Sequence, residues 1–262
     1  MKKITATLLS MVLVLGLFGF SAFAADASTQ VYVTIALGDG SLGVAQQAVT
    51  VTDIDSDSKL TINDALFCAH EAFYPGGAAQ GYKTELTQWG LGIKKLWNVV
   101  NGGSYGYYVN NASAYSLTDT IAAGDYINAF VYKDAQGFSD SYSYFSAQTI
   151  DATAYESFSI TLNRLTFDAN WNTVVTPVAG AVITVDGETT NFVTDADGKA
   201  TITLTETGSH VISAVSDSVV IVSPVCKAEV AGGSFLSMLM YYVQLVFRIV
   251  VALFSALFGS AA

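Results

Sequence analysis

The sequence predicts an α+β domain followed by an all-β domain, with a signal peptide before them and an apolar helix after them. Three observations support this fold class. Alternating apolar and polar residues recur at strand spacing, one early segment has helical spacing, and residues 231–262 contain a single charge. With 262 residues, the chain is long enough for two domains that each have a core of their own.

Residues 1–24 have the features of a secretory signal peptide. Lys2 and Lys3 form a basic start, an apolar stretch from Ile4 to Phe20 follows, and Ala22-Phe23-Ala24 matches an A-x-A cleavage site. We therefore expect the mature protein to be exported. Loss of the two lysines takes the formal net charge from −11 to −13, and so acidic a protein is not expected to bind nucleic acid.

The first predicted domain, residues 25–148, begins with two strands. Gln30 to Ala36 alternates with its apolar side chains on one face, and Ala48 to Thr52 returns after a glycine-containing turn. A helix follows, because apolar residues after Asp64 recur with helical spacing. Three more strands are expected over Tyr105–Asn110, Tyr126–Lys133 and Ser141–Ala147. The order β-β-α-β-β-β is that of a β-grasp domain with additions.

Between the second strand and the helix, segment 53–64 has the ligand spacing of a calcium loop. Such a loop takes oxygen ligands from positions 1, 3, 5, 7, 9 and 12 of twelve residues. The predicted ligands are, in that order, Asp53, Asp55, Asp57, the carbonyl of Lys59, Thr61 and Asp64. Four carboxylates held together would repel one another without a cation. We therefore predict that this loop binds calcium.

Position 6 of the loop departs from the usual pattern. It is Ser58, whereas such loops almost always place glycine there, because the backbone adopts a positive φ that costs another residue about 1 kcal/mol. We expect a weaker site for this reason. The alternative is a solvated turn in which Asp57 or Ser58 caps the helix. The loop and its following helix resemble one half of a bacterial dockerin repeat.

Residues 75–103 are expected to form a long loop rich in glycine and aromatic side chains. Together with the strand that follows, the loop suggests a stacking surface for a sugar or a planar ligand. The predicted ligand-binding residues are Trp89, Trp97, Tyr105, Tyr107 and Tyr108. The alternative is that about half of these aromatics only cover the open end of a small sheet.

Short motifs in the first domain resemble the transcobalamin C-terminal-like family of bacterial surface proteins. They are Gly106-Tyr107-Tyr108-Val109-Asn110-Asn111, the turn Gly124-Asp125-Tyr126, and Val131-Tyr132. The resemblance covers roughly residues 29–147 and implies a β-grasp fold. In the best-known members of that family the domain covers one face of a corrinoid. Capture of cobalamin or another corrinoid is therefore an expectation, beside a glycan or a protein ligand.

The second predicted domain, residues 149–230, has alternating segments separated by the turns Asp186-Gly187 and Asp197-Gly198. Strands at this spacing without helices indicate a β-sandwich. Pro177 to Val185 and Thr194 to Ala200 resemble segments of bacterial Ig-like or carboxypeptidase-regulatory-like modules. The resemblance implies an Ig-like sandwich that acts mainly as a spacer.

Residues 231–262 are predicted to form a hydrophobic C-terminal helix after a hinge at Gly232-Gly233. Phe235 to Phe258 holds one charged residue, Arg248. A helix of this length spans about 36 Å, more than the roughly 30 Å of a bilayer core. We expect membrane association, and the alternative is that the helix packs between protomers.

The sequence gives no pattern of catalytic residues. Outside the acidic loop it offers no nucleophile with a histidine and an acid, no phosphate-binding glycine loop and no carboxylate pair. We predict that the protein is not an enzyme but an exported, surface-displayed binding protein stabilised by calcium. Cobalamin capture is the first alternative, and a purely structural or adhesion module is the second.

Overall fold

Alternating apolar residues build the first domain around a mixed five-stranded sheet. The computed structural model describes residues 28–170 and 172–258, so the predicted signal peptide lies outside the described residues. The elements of this domain are β1 (Ser28–Ala36), β2 (Leu42–Thr52), α1 (Ile62–Phe73), α2 (Gly77–Gly81), β3 (Lys83–Thr87), β4 (Gly90–Lys95), β5 (Tyr105–Val109), β6 (Ala112–Ser113) and β7 (Tyr126–Val131).

The strand order in this sheet is β2-β1-β7-β5-β6, with α1 packed on one face. β1 runs parallel to β7 and antiparallel to β2, while β5 is antiparallel to both β6 and β7. Val31, Val33 and Ile35 of β1 are fully buried in one core with Ile62 and Leu66 of α1. The apolar face predicted for the first strand therefore packs against the apolar face of the helix after Asp64 in this core.

Residues 75–103 do not form the predicted long loop. They fold into the short helix α2 and the hairpin of β3 and β4, which pair antiparallel. Gln88 and Trp89 make the turn, and the hydroxyl of Thr87 accepts the N–H of Trp89 at 3.1 Å and donates to the carbonyl of Gly90 at 2.8 Å. Gly90 has a φ of +105°, which glycine adopts without steric cost. Of the glycines read as loop residues, Gly90 and Gly92 lie in the hairpin, and Gly77 and Gly81 lie in α2.

The second domain consists of two packed sheets. One contains β11-β10-β14 with β8 also paired to β10, and the other has the order β13-β12-β15-β16-β9. Its strands are β8 (Ser143–Phe145), β9 (Thr149–Thr153), β10 (Ser157–Phe167), β11 (Thr173–Pro177), β12 (Val182–Val185), β13 (Glu188–Val193), β14 (Lys199–Thr203), β15 (Gly208–Val215) and β16 (Cys226–Ala231). Ile160, Leu162, Ile183 and Ile202 are buried between the sheets, as expected for a sandwich.

One strand belongs to a different sheet from the one predicted. Ser141 to Ala147 was expected to complete the first domain, but β8 pairs antiparallel with β10 of the sandwich. The side chain of Ser143 also donates to the carbonyl of Val222 at 2.6 Å. The alternating pattern identified a strand and gave no information on its partner, because partner choice depends on contacts distant in sequence.

An aromatic cluster joins the two domains. The rings of Tyr108 and Tyr142 stack with centroids 3.8 Å apart, and Phe130, Leu165 and Val222 are buried beside them. Two hydrogen bonds between residues far apart in sequence also connect the domains. Gln46 Nε2 donates to the carbonyl of Gln148 at 3.0 Å, and Ser223 Oγ donates to the carbonyl of Gly40 at 2.8 Å.

The C-terminal helix α3 (Phe235–Phe258) begins at a packed junction and not at the predicted free hinge. A Cβ added to Gly233 would lie 2.1 Å from the carbonyl oxygen of Ala154, so the glycine permits close packing. Ser237 Oγ donates to Glu156 Oε1 at 2.8 Å, and the rings of Tyr155 and Tyr241 are 5.7 Å apart. The start of α3 is therefore held against the sandwich.

Candidate metal centre and aromatic residues

Three carboxylates converge in the loop between β2 and α1. Asp53, Asp55 and Asp57 each offer an oxygen within 4.8 Å of the others. Asp53 organises the loop, since Oδ1 accepts the N–H of Ser56 at 2.8 Å and Oδ2 accepts the N–H of Ser58 at 2.8 Å. The alternation in sequence brings the three acids to one side of a tight turn, where oxygen ligands can surround a hard cation.

The backbone at position 6 has the predicted conformation. Ser58 has a φ of +68°, in the left-handed region that favours glycine. The neighbouring Ser56 has a φ of +61°. Two non-glycine residues in this region make the turn more costly than in a loop with glycine at position 6.

Asp64 and Thr61 bond to each other and not to the acidic triplet. Asp64 Oδ2 accepts the N–H and the hydroxyl of Thr61, each at 2.7 Å, and Asp64 Oδ1 accepts the N–H of Ile54 at 3.2 Å. Thr61 accepts the N–H of Asp64 in return, which completes a capping box at the start of α1. The helix cap is therefore Thr61, and the alternative that Asp57 or Ser58 caps the helix is wrong.

The acidic triplet concentrates negative charge. Desolvation and the nearby charges of Asp57 and Asp64 raise the pKa of Asp55. Desolvation acts in the same direction on Asp53, but the donated N–H groups of Ser58, Ser56 and Asp57 outweigh it and lower its pKa. Asp53, Asp55 and Asp57, with the carbonyl of Lys59 in the same loop, are the groups that could hold a cation.

The five aromatic residues predicted to bind a ligand do not share one surface. Trp89 is 89% exposed at the tip of the β3–β4 hairpin. Tyr107 is half-buried against the core of the first domain, whereas Tyr108 is only 9% exposed and lies in the cluster between the domains. These two residues are neighbours in β5, and neighbours in a strand point to opposite faces.

Trp97 and Tyr105 have structural contacts. The half-buried Trp97 ring is packed edge-on against Tyr74, with centroids 4.9 Å apart. The Tyr105 hydroxyl accepts the N–H of Asn101 at 3.0 Å and lies 2.9 Å from the carbonyl oxygen of Val99. Of the five, Trp89 alone presents most of its ring to solvent.

His70 is a buried residue that the sequence pattern did not single out. It is 0% exposed, and its Nε2 accepts the backbone N–H of Trp97 at 3.0 Å. Since Nε2 accepts, the ring is neutral and Nδ1 donates to the carbonyl of Leu66 at 2.6 Å. The ring also stacks on Tyr82, with centroids 4.9 Å apart. Burial lowers the pKa of His70 to about 4.

Acidification is expected to destabilise the first domain through His70. Its pKa is about 4 in the folded protein and 6.5 unfolded, so the unfolded chain binds more protons between these values and stability falls as pH decreases. From pH 7 to pH 5 the loss is about 2 kcal/mol. Denaturant unfolding at both pH values should show that His70→Gln removes this loss.

His210 provides a control of opposite sign. Its hydrogen bond to Asp186, 2.7 Å from Nδ1 to Oδ2, raises the pKa of His210, so its contribution to stability grows as pH falls. Because His210 lies on β15 of the second domain, His210→Gln should make that domain lose more stability between pH 7 and pH 5 and should leave the acid loss of the first domain unchanged. An unchanged loss in His70→Gln would contradict the assignment to His70.

A cleft of about 450 Å³ lies between β2 and the outer face of the second domain. Its polar lining groups are Ser41, Thr184, Asp186 and Ser213. Asp186 Oδ1 accepts the N–H of Val211 at 2.7 Å and its other oxygen bonds His210, so this carboxylate is engaged within the fold. The cleft is lined by small hydroxyl groups and apolar side chains, as in a binding site. Among its lining residues no nucleophile contacts a base.

No model of a known protein family matches the chain, and no curated protein is significantly similar to it. Solved structures with some likeness are the tandem Ig repeats of Dlar, at 11% identity and a TM-score of 0.25, over 58% of this chain and 75% of that one. The N-terminal four Ig domains of Dscam1 isoform 6.9 match at 10% identity and a TM-score of 0.23, over 57% and 32%.

A second Dscam1 structure, isoform 4.44, is similar at 9% identity and a TM-score of 0.23, over 79% of this chain and 46% of that one. Likenesses of this size carry no argument about the fold or function of the chain. The assignment of the second domain as a β-sandwich is based on its own sheets and buried core. The resemblances to the transcobalamin C-terminal-like and dockerin families stay predictions.

Proposed function

We propose that the chain is an exported, non-enzymatic binding protein displayed at the cell surface and tethered by α3. The observation that carries this proposal is the exposure of a long apolar helix. Residues Phe235–Ser255 are long and apolar enough to cross a bilayer, and none of that window is buried against the two domains. An exposed apolar surface of this kind needs a membrane or a protein to cover it.

The packed junction supports a tether with a defined orientation. Ser237 bonds Glu156 at the first turn of α3, so the second domain sits beside the membrane entry point. The first domain is attached to the second through the Tyr108–Tyr142 cluster. We infer that the sandwich is the spacer and that the first domain is presented for binding.

We infer a β-grasp fold for the first domain and an Ig-like arrangement for the second. The order β2-β1-β7-β5-β6, with the first and last long strands parallel and central and a helix across one face, supports the first inference. The two antiparallel-rich sheets around Ile160, Leu162, Ile183 and Ile202 support the second. Both are scaffolds on which function depends on local sites.

Calcium is proposed to stabilise the loop before α1. Asp53, Asp55 and Asp57 would supply carboxylate oxygens, with the carbonyl of Lys59 as a further ligand. Thr61 and Asp64 would hold the start of the helix through their capping box and place a negative charge next to the ion. A bound cation would offset the repulsion among the three carboxylates.

The exposed tip of the β3–β4 hairpin is the proposed ligand contact of the first domain. Trp89 and Leu86 are 89% and 78% exposed there. A tryptophan at a protruding turn suits the contact of a protein or glycan partner. The corrinoid alternative is based on the family resemblance alone, since Trp97, Tyr105 and Tyr108 have structural contacts elsewhere.

Deletion of residues 235–262 is expected to turn a membrane-bound protein into a freely soluble one. The deletion removes the exposed apolar helix and leaves both domain cores intact. The measurement is the partition of the mature protein between membrane and soluble fractions, with Trp89→Ala as a control that should stay with the membrane. A full-length mature protein that is monomeric and soluble without detergent would contradict the tether.

A further inference from the structure

The polar side chains in the first half of α3 face the second domain across a narrow cleft. At about 100° per residue they fall within a sector of roughly 60°. This polar stripe consists of Ser237, Tyr241, Gln244 and Arg248. Its last three residues line a cleft of about 140 Å³ between the helix and the sandwich. The lining residues of the sandwich are Tyr155, Ser157, Asn191, Phe192 and Thr203.

The cleft combines one cation with neutral hydrogen-bonding groups. Arg248 is the one charged residue among the described residues that line it, and within the described part of the chain its guanidinium has no ion pair or hydrogen bond. Gln244 and Asn191 add carboxamide donors. The hydroxyl oxygens of Ser157 and Thr203 are 2.8 Å apart, and since one O–H is used between them, the other is free to donate. In a chain with a net charge of −11, this cleft is a local attraction for an anion.

The acid nearest to the start of the polar stripe is held away from Arg248. Glu156 lines an adjoining cleft, where it accepts the hydroxyl of Ser237 at 2.8 Å. Ser237 precedes Arg248 by eleven positions, about 16 Å along the helix. The carboxylate and the guanidinium therefore lie at opposite ends of the stripe, and the guanidinium is left for a ligand.

The sandwich places the cleft at the surface of the membrane. Asn191 and Thr203 belong to a folded domain that stays outside the hydrocarbon, because unpaired polar groups are costly there. Since Arg248 lines the same cleft, its guanidinium lies at the level of the lipid headgroups. The opposite side of α3 is apolar and exposed, which allows it to contact acyl chains. Its residues include Leu239, Val243, Val246 and Val250.

From this placement we infer that the cleft between α3 and the sandwich binds the phosphate group of a membrane phospholipid. The inference rests on the proposed tether. A guanidinium donates two parallel N–H groups to phosphate oxygens, and the hydroxyl and carboxamide groups supply further donors. Leu245 and Phe192 line the same cleft and offer apolar contacts to the part of the lipid beside the phosphate. Free phosphate presents the same oxygens but gains nothing from these apolar side chains, so a lipid should bind more tightly.

The test uses the full mature chain in maltoside micelles, which contain no phosphate. The probes are dioctanoyl phosphatidylglycerol, dioctanoylglycerol with the same chains and no phosphate, and glycerol phosphate without chains. Titration calorimetry measures each affinity. We expect the phospholipid to bind roughly tenfold more tightly than either other probe. Arg248→Leu should remove this advantage, and Arg248→Lys, which keeps the charge without the fork, should retain part of it.

A matched variant separates the cleft from the charge alone. Val246→Arg combined with Arg248→Leu keeps one arginine on α3 but turns it roughly 160° away from the cleft. This variant should bind the phospholipid as weakly as Arg248→Leu. Full affinity in the double variant, phospholipid binding that does not need Arg248, or equal affinity for glycerol phosphate would each overturn the inference.

Flotation with phosphatidylglycerol vesicles distinguishes failure of this site from failure of the tether. Arg248→Leu should still float, because the apolar side of α3 is unchanged. If the unaltered chain floats but shows no preference for the phospholipid in micelles, the phosphate site is wrong and the tether stands. An unaltered chain that does not float would overturn the tether and this inference with it.

Discussion

Trp97→Ala is expected to lower the free energy of unfolding of the first domain by about 3 kcal/mol, whereas Trp89→Ala should leave it within about 0.5 kcal/mol. The Trp97 ring packs on Tyr74 and His70, with centroids 4.9 and 5.3 Å away, and truncation would leave a cavity beside the core. The Trp89 ring is 89% exposed and has little contact to lose. Denaturant unfolding of the protein without α3 measures both values.

In a binding experiment the order of the two effects should be reversed, with the larger loss in Trp89→Ala. Trp89→Ala is expected to weaken the contact of the hairpin with a partner, while Trp97→Ala should weaken binding only in proportion to unfolding. Leu86→Ala, at the same exposed hairpin, serves as a matched second probe of the surface. Equal destabilisation by Trp89→Ala and Trp97→Ala would contradict the assignment of one ring to the surface and the other to the core.

Local sequence patterns were sufficient where one face of an element is buried. The alternation in β1 and the helical spacing of Ala65, Leu66 and Ala69 identified the elements that form the first core. Ala72 and Phe73, which belong to the same helical pattern, are exposed at the end of α1. The acidic spacing likewise placed Asp53, Asp55 and Asp57 together. In each case the pattern follows from the geometry of a strand, a helix or a tight turn, which operates over a few residues.

The hairpin of β3 and β4 was missed because its strands bury little. In β3, Lys83, Glu85 and Leu86 are exposed, so the strand has no apolar alternation for a pattern to detect. Its stability comes from pairing with β4 and from the turn at Thr87. The available signal was the turn at Gln88 and Trp89, followed by Gly90, between two short runs of five and six residues.

The grouping of aromatic residues failed for a different reason. Closeness in sequence was taken as closeness on a surface, although Tyr107 and Tyr108 are adjacent in a strand and point to opposite faces. Tyr108 then stacks on Tyr142, a contact between segments that only the folded chain brings together.

The capping box of Thr61 and Asp64 was readable from the T-x-x-D spacing before a helical segment. The capping role competes with the ligand role assigned to both residues.

Calcium is expected to raise the unfolding temperature of the protein without α3, and Asp53→Ala should abolish the rise. An ion that binds the folded loop alone stabilises it by about 2.7 kcal/mol at a hundredfold excess over its Kd. Asp53 accepts N–H groups from Ser56, Asp57 and Ser58 and also contributes to the acidic triplet, so its loss removes both the turn and a ligand. Thermal unfolding in calcium and in chelator measures the difference.

Asp195→Ala is the matched control for the turn, because Asp195 also accepts backbone N–H groups, from Asp197 at 3.0 Å and Lys199 at 2.9 Å, in a loop without the acidic triplet. It should lower the unfolding temperature equally in calcium and in chelator. Ser58→Gly should raise the temperature in calcium by relieving a φ of +68°, a gain of about 1 kcal/mol. Melting that is identical in calcium and chelator would show that the three carboxylates form a solvated turn, stabilised by backbone donors alone.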